Sequence, residues 1–206
     1  MTGESITTPG TATDEAPPPS TADLLLVAAA SAFRRKGYAE TTTRELGSAV
    51  GIAGASLYYH YKTKEDILYG LCQESLRRLT ERVAPLAELS DSIDDLQAVI
   101  EAHVGTILRD RDMHATMLVE MRSLSDERRN HVIERRDSYE TLIRGVVARV
   151  QAAGGLRADL SARDLTRALL SMLNWTIFWY REDGELTIEE LATQLGSLFL
   201  EGAATR

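Results

Sequence analysis

Residues 41–64, TTTRELGSAVGIAGASLYYHYKTK, read as two short helices about a glycine turn, the second ending in a run of rings. The Thr42 hydroxyl can accept from the backbone N–H of Glu45 while the Glu45 carboxylate reaches back, a reciprocal cap that starts a helix near Thr43. Leu46 and Val50 lie four apart and share one face with Ala49 beside them, so that face turns inward while Arg44 and Ser48 do not. Gly51 ends the helix. The left-handed residue that satisfies its last carbonyls is cheap only without a Cβ, and Ile52 supplies the apolar contact that pins the turn. The next helix is predicted over Ala53 to Tyr61. Gly54, Ala55 and Ser56 at its start are small enough to approach a groove floor or a phosphate. Leu57 and Tyr61 point to the core, which leaves Tyr58, Tyr59 and His60 facing outward. Phenol and imidazole groups suit phosphate oxygens and base edges, and the whole has the layout of a helix-turn-helix lying in the groove of double-stranded DNA.

Thr63 and Asp66 form a second reciprocal cap, which places Lys64 in the first turn of a further helix. A cation there opposes the helix macrodipole unless an anion lies close, and a DNA phosphate is such an anion. Net charge argues the other way, at −8 for the chain, so its distribution matters. Residues 21–64 hold six Lys or Arg against three acids, a balance of +3, whereas the first twenty residues carry −3 and the remainder −8. The charge is polarised, with the short segment attracted to DNA and the rest repelled.

With those residues in hand, Ala29-Ala30-Ser31-Ala32-Phe33 through Gly37-Tyr38, followed by TTTRELGSAVGIAGASLYYHYKTKEDIL, closely resembles the DNA-binding region of the tetracycline-repressor (TetR) family over about residues 22–70. The resemblance implies Thr43 and Arg44 at the start of the second helix, with Arg44 near a base edge. It implies Ser56, Tyr58, Tyr59 and His60 on the recognition helix and Lys64 on the DNA backbone. Gly47 departs from the pattern, standing where the family usually has Ala. That costs about 1 kcal/mol in helix propensity and predicts a slightly softer reader.

Outside this region the chain reads as all-α. Residues 1–20, rich in Thr and Pro and without Lys or Arg, are read as a disordered tail, unsuited to tracking a minor groove. Ser20 with Asp23 caps the first helix, which runs to Lys36 and stops at Gly37. Beyond it, residues 21–64 are expected as the helix-turn-helix domain and 65–206 as a larger ligand-binding and dimerisation bundle. Six helices are predicted there: 64 to 84, stopping near Pro85; Ser92 to about Arg109; 112–123; Ser125 or Asp126 to Gly154-Gly155; Ser161 to about Arg181; and Thr187 to about Glu201.

Met113, Met117 and Met121 recur every fourth residue, a polarizable stripe that reads equally as core filling or as the wall of an effector pocket. Arg122 beside it reads as the partner of an anion or as a solvated surface group. Trp175 and Trp179, four apart with Met172, share one face, and the last helix carries Leu191, Leu195, Leu198 and Phe199 with Gly196 for close approach. The two helices read as half of a four-helix interface with a second copy. A homodimer is also what a palindromic operator requires, since two recognition helices grip half-sites about 34 Å apart or more.

Residues 157–195, RADLSARDLTRALLSMLNWTIFWYREDGELTIEELATQL, resemble the C-terminal part of TetR-type repressors that sense acyl-coenzyme A thioesters, including regulators of fatty-acid and steroid breakdown. The resemblance implies an acyl chain or ring system among apolar side chains, Trp175 near the dimer-facing wall, and Arg122 or Arg181 at the phosphates. The expected function is a ligand-responsive repressor. The alternative within the class is a regulator of efflux that senses drugs or other lipophilic metabolites.

An all-helical enzyme is the reading from another class, and it finds no apparatus: the sequence lacks a Gly-rich phosphate loop, a Gly-x-Ser-x-Gly elbow and zinc spacing. No histidine has a Glu three residues before it, as a carboxylate-bridged metal bundle requires. No cofactor is expected. One cysteine, Cys72, excludes an internal disulfide and sits among Leu68, Leu71 and Leu76 as a small buried hydrophobe. No apolar run approaches the ~20 residues of a membrane span, and the start lacks the layout of a secretory signal, so the expected place of action is the cytoplasm.

Overall fold

The computed structural model describes residues 20–51, 54–89 and 91–204, with the backbone alone for 54–56 and 89. Among the described residues the elements are α1 (Thr21–Lys36), α2 (Thr43–Ala49), α3 (Gly54–His60), α4 (Lys64–Leu89), α5 (Ile93–Arg109), α6 (Arg111–Glu120), a 3-10 turn (Met121–Ser123), α7 (Asp126–Ala152), α8 (Ala162–Trp179) and α9 (Ile188–Ala203). The fold is all-α, an N-terminal helix-turn-helix joined to a C-terminal helical bundle. A single antiparallel bridge, Leu156 to Ala204, is the extended pairing among these residues.

Capping chemistry places the starts. Reciprocal caps open α1 at Ser20 and Asp23, α2 at Thr42 and Glu45, α5 at Ser92 and Asp95, and α9 at Thr187 and Glu190. Thr63 and Asp66 exchange the same pair of bonds at the head of α4. At Gly37 and Gly51 the backbone turns left-handed, φ 86° and 70°, where a side chain is strained.

The ends of α4, α6 and α8 differ from the sequence reading, α6 giving way to the 3-10 turn after Glu120. Helix α4 continues through Pro85 to Leu89. Proline removes the bond to the Glu81 carbonyl, but both residues are exposed there and water can replace it, while Val83 and Ala87 are wholly buried and hold the last turns down. Helix α8 stops at Trp179 rather than near Arg181 because Tyr180 turns to extended backbone and is itself buried. Arg181 is then held outside the helix by a forked pair of bonds to Asp183 at 2.9 and 2.8 Å.

Two apolar clusters divide along α4. The first gathers Leu25, Ala29 and Phe33 of α1, Leu46 of α2 and Leu57 of α3 with Ile67, Leu68, Leu71, Cys72 and Leu76 of α4, and it extends to Met113, Met117, Met121, Leu124 and Val132. The second takes Leu79, Val83 and Ala87 of α4 with the inner faces of α5, α7, α8 and α9. So the core that seats the short helices includes the whole methionine stripe, because α6 packs between α1 and α4. Polar ties reinforce this seat: Thr116 donates to the Ala30 carbonyl at 3.1 Å, and the Tyr38 N–H donates to Glu120 at 3.2 Å. Arg34 and Arg111 both donate to the Ile177 carbonyl, an orphan acceptor at the C-terminal end of α8. Among the described residues no helix is long and apolar enough to cross a membrane.

Candidate nucleic-acid interface and buried cavity

Helix α3 is anchored by Leu57, 1% exposed, and presents Tyr58 and Tyr59 at 52% and 86% exposure. The Tyr59 and His60 rings meet edge to face at 5.4 Å. Tyr58 shares a 3.2 Å hydrogen bond with the Thr43 hydroxyl, which joins the exposed end of α2 to α3. Arg44 stands exposed on α2. Thr43 and Tyr58 are thus joined, and Arg44, Tyr59 and His60 are exposed on the same two helices, whereas the Ser56 side chain lies outside the described residues. Glu45, the one acid of α2, is bound by Lys36 at 2.5 Å, and that bond with those from Thr42 holds its carboxyl down to about 2. It stays ionised but neutralised, which removes a repulsion from the face.

Lys64 is placed differently from its expected role. Its ammonium donates to the carbonyls of Tyr38, Ala39 and Thr41 at 2.9, 3.1 and 3.0 Å and lies over the Tyr38 ring, 4.5 Å from its centroid. All three of its donors are used. The unfavourable cation in the first turn of α4 is therefore compensated by the protein's own carbonyls, with no need for an external phosphate, and Lys64 fastens the loop before α2.

A cavity of about 260 Å³ lies among α4, α5, α6, α7 and α8. Its apolar wall includes Leu76, Leu79, Met117, Leu118, Ile133 and Leu170. Its polar wall is a buried network. His103 takes Tyr139 OH at 2.7 Å on Nδ1 and bonds Asn174 Oδ1 at 3.2 Å through Nε2, so Nε2 carries the proton and Nδ1 accepts. Burial pushes His103 down to about 4 and Tyr139 well above its ordinary range, which keeps both neutral. His114 pairs with Ser75 at 2.6 Å through Nδ1 and is pushed down to about 3, first by burial and then by His103 and Arg136. Arg136, Arg167, Asp137 and Glu140 also border the cavity and reach toward solvent.

Of the residues expected at the ligand, Met117 lines this cavity. Met113 and Met121 do not: 3% and 9% exposed, they fill the same apolar cluster as α1 to α4, Met113 from α6 and Met121 from the 3-10 turn after it. Arg122 is exposed on the 3-10 turn and outside the lining. Trp175 is 64% exposed and packs on Phe178 with ring centroids 4.8 Å apart, facing away from the cavity. Trp179 on α8 and Leu198 on α9 are likewise exposed apolar side chains, at 49% and 65%. Met172, Leu195 and Phe199 are instead half-buried against the chain's own core. Gly196 is buried against α5, where a Cβ would sit 2.0 Å from the Gln97 amide, so its close approach is within the subunit.

The sequence reading missed His103, His114, Tyr139, Asn174 and Ser75. Their signal was present as polar residues on apolar faces, such as His103 between Val99 and Ile107. Among the described residues no cluster suited to a metal ion occurs.

Residues 25–69 match the family of bacterial regulatory proteins of the tetR type, and residues 90–203 match the tetracyclin repressor-like C-terminal domain. The chain is 30% identical over 190 residues to the HTH-type transcriptional repressor KstR2 of Rhodococcus jostii, spanning 88% of this chain and 90% of that protein. Among solved structures it is similar to the TetR-family regulator PfmR from Thermus thermophilus, at a TM-score of 0.81 and 34% identity over 89% of this chain and 100% of that one. It also shares the fold of AibR, solved in complex with isovaleryl coenzyme A and operator DNA, at a TM-score of 0.75 and 22% identity over 84% and 95% of the two chains.

Proposed function

We propose, on the premise that this chain belongs to the TetR family of bacterial transcriptional regulators, that it is a repressor released from its operator by a small hydrophobic acyl effector. The observation that carries this reading is a shared wall. Leu76 and Met117 line the cavity and at the same time belong to the apolar core that seats α1, α2 and α3. A ligand that presses on them moves α4 and α6, and with them the recognition helix. Two copies, joined through the exposed Trp175, Trp179 and Leu198 face, set the spacing of two readers on a palindromic operator in the cytoplasm. In this reading residues 21–64 form the reader and 65–206 the effector and dimer unit, with the upper half of α4 serving both. Arg44, Tyr58, Tyr59 and His60 contact DNA, Thr43 orients Tyr58, and Lys64 fixes the loop behind them.

A cavity of about 260 Å³ lies just under the ~300–1,000 Å³ of a site that encloses a whole ligand. It fits an acyl group whose carrier stays outside, near Arg136 and Arg167. The acyl-coenzyme A bound by AibR is a compound of that design. A ligand shifts the operator equilibrium only by its differential affinity, and ~1–3 kcal/mol of coupling is typical. Calorimetric titration with a panel of acyl-coenzyme A thioesters, with and without operator, tests the proposal. Equal affinity in both conditions rules out induction by that thioester, and displacement by lipophilic cations instead supports an efflux regulator.

A further inference from the structure

One donor in the cavity wall has no acceptor. The Ser75 hydroxyl is wholly buried, and its hydrogen-bond partner is His114 Nδ1. With Ser75 as the donor to Nδ1, the bond that gives its hydroxyl hydrogen an acceptor, the imidazole proton resides on Nε2. That Nε2–H is buried and without a partner. Arg128 Nη1 is the other buried side-chain nitrogen in this condition among the described residues, but it has the Glu65 carboxylate at 3.6 Å and does not line the cavity. The remaining buried imidazole of the wall, His103, is satisfied at both nitrogens by Tyr139 and Asn174.

We propose that His114 Nε2–H reads a carbonyl oxygen on the effector's acyl group, so that the site selects compounds carrying that oxygen over alkyl compounds of the same length. The inference rests on the cavity being the effector site and deepens that reading. A buried N–H left unsatisfied is costly, and a ligand oxygen completes it, so discrimination against an analogue lacking the oxygen is strong where mere apolar filling is not. The surroundings agree. Leu76, Leu79 and Leu170 around it accept a short hydrocarbon chain, and the neutral imidazole donates one hydrogen bond to an uncharged oxygen without bringing a charge for a carboxylate.

The test is calorimetric titration of the full chain with a matched pair, butyryl-coenzyme A and S-butyl-coenzyme A, the second lacking only the carbonyl oxygen. The expected result is about tenfold tighter binding of the thioester. His114→Phe should reduce that ratio to about twofold or less, and His114→Gln, which keeps an N–H, should restore part of it. Ser75→Ala releases the tautomer and should narrow the ratio as well, which keeps the test decisive if the Phe variant fails to fold. Equal binding of the two probes by the native protein, or an unchanged ratio in the folded Phe variant, overturns the proposal and means that trapped water satisfies the imidazole. Those outcomes leave the cavity as the effector site, whereas failure of both probes to bind the native protein overturns both readings.

Discussion

The ammonium of Lys64 closes the loop between α1 and α2 by gathering three backbone carbonyls. Lys64→Ala should therefore lower unfolding stability by about 1.5–3 kcal/mol, the scale of a charge-assisted hydrogen bond, read by chemical denaturation. It should leave the salt slope of DNA binding nearly unchanged. Arg44→Ala should behave in the opposite way, losing about 1–3 kcal/mol on the operator and little on random duplex, because it is exposed and its proposed partner is a base edge. The buried histidines make a third prediction. His103 and His114 are neutral in the fold but take up a proton near 6.5 when exposed, so below that pH the unfolded chain binds more protons. Their contribution is complete above about pH 6.5 and is lost as pH falls toward about 4 and about 3 respectively. At pH 5 the loss is about 2 kcal/mol for each histidine, at ~1.4 kcal/mol per unit. Denaturation at pH 7.5 and pH 5.0 measures it, and equal midpoints would contradict the placement. Glu45 and Glu74 are held down to about 2, Glu74 first by Arg77, and lose their contribution only below about 4.5, outside that window.

At the scale of elements, α4 is the member that joins surfaces. Its residues 67–76 seat the reader, and residues 76 and 79 border the cavity. Helix α6 duplicates the connection through Met117 and through the bonds of Thr116 and Glu120 to α1 and the loop after it. Met117→Ala should cost about 2–5 kcal/mol of stability through the void it leaves. It should also weaken effector release of DNA more than operator binding itself, a difference visible when the two titrations are compared.

For the whole molecule, the proposed assembly and approach to DNA rest on the exposed apolar residues of α8 and α9 and on the uneven charge. Replacing Trp175 and Trp179 with Glu should yield monomers in sedimentation velocity, because burying like charges across a two-fold axis is strongly unfavourable. Operator affinity should fall at least tenfold, since each half-site then binds alone. A dimer that survives both substitutions would move the interface elsewhere. Two ends of opposite charge orient approach, so association should slow steeply with salt.

The starts of α1, α2, α4, α5 and α9 and the glycine turns were determined by the sequence alone, because a reciprocal cap or a left-handed glycine is satisfied within four residues, as at Thr42 with Glu45 and at Gly51. The outward face of α3 followed from the same short-range spacing. What only the tertiary structure decided involves partners far apart in the chain. Lys64 found carbonyls 23 to 26 residues away, and His103 found Asn174 71 residues away. The direction in which α6 turned its methionines depended on α1 packing against it. Local patterns specify where a helix begins and which residues share a face, but the choice of neighbour for each face depends on the packing of every helix at once.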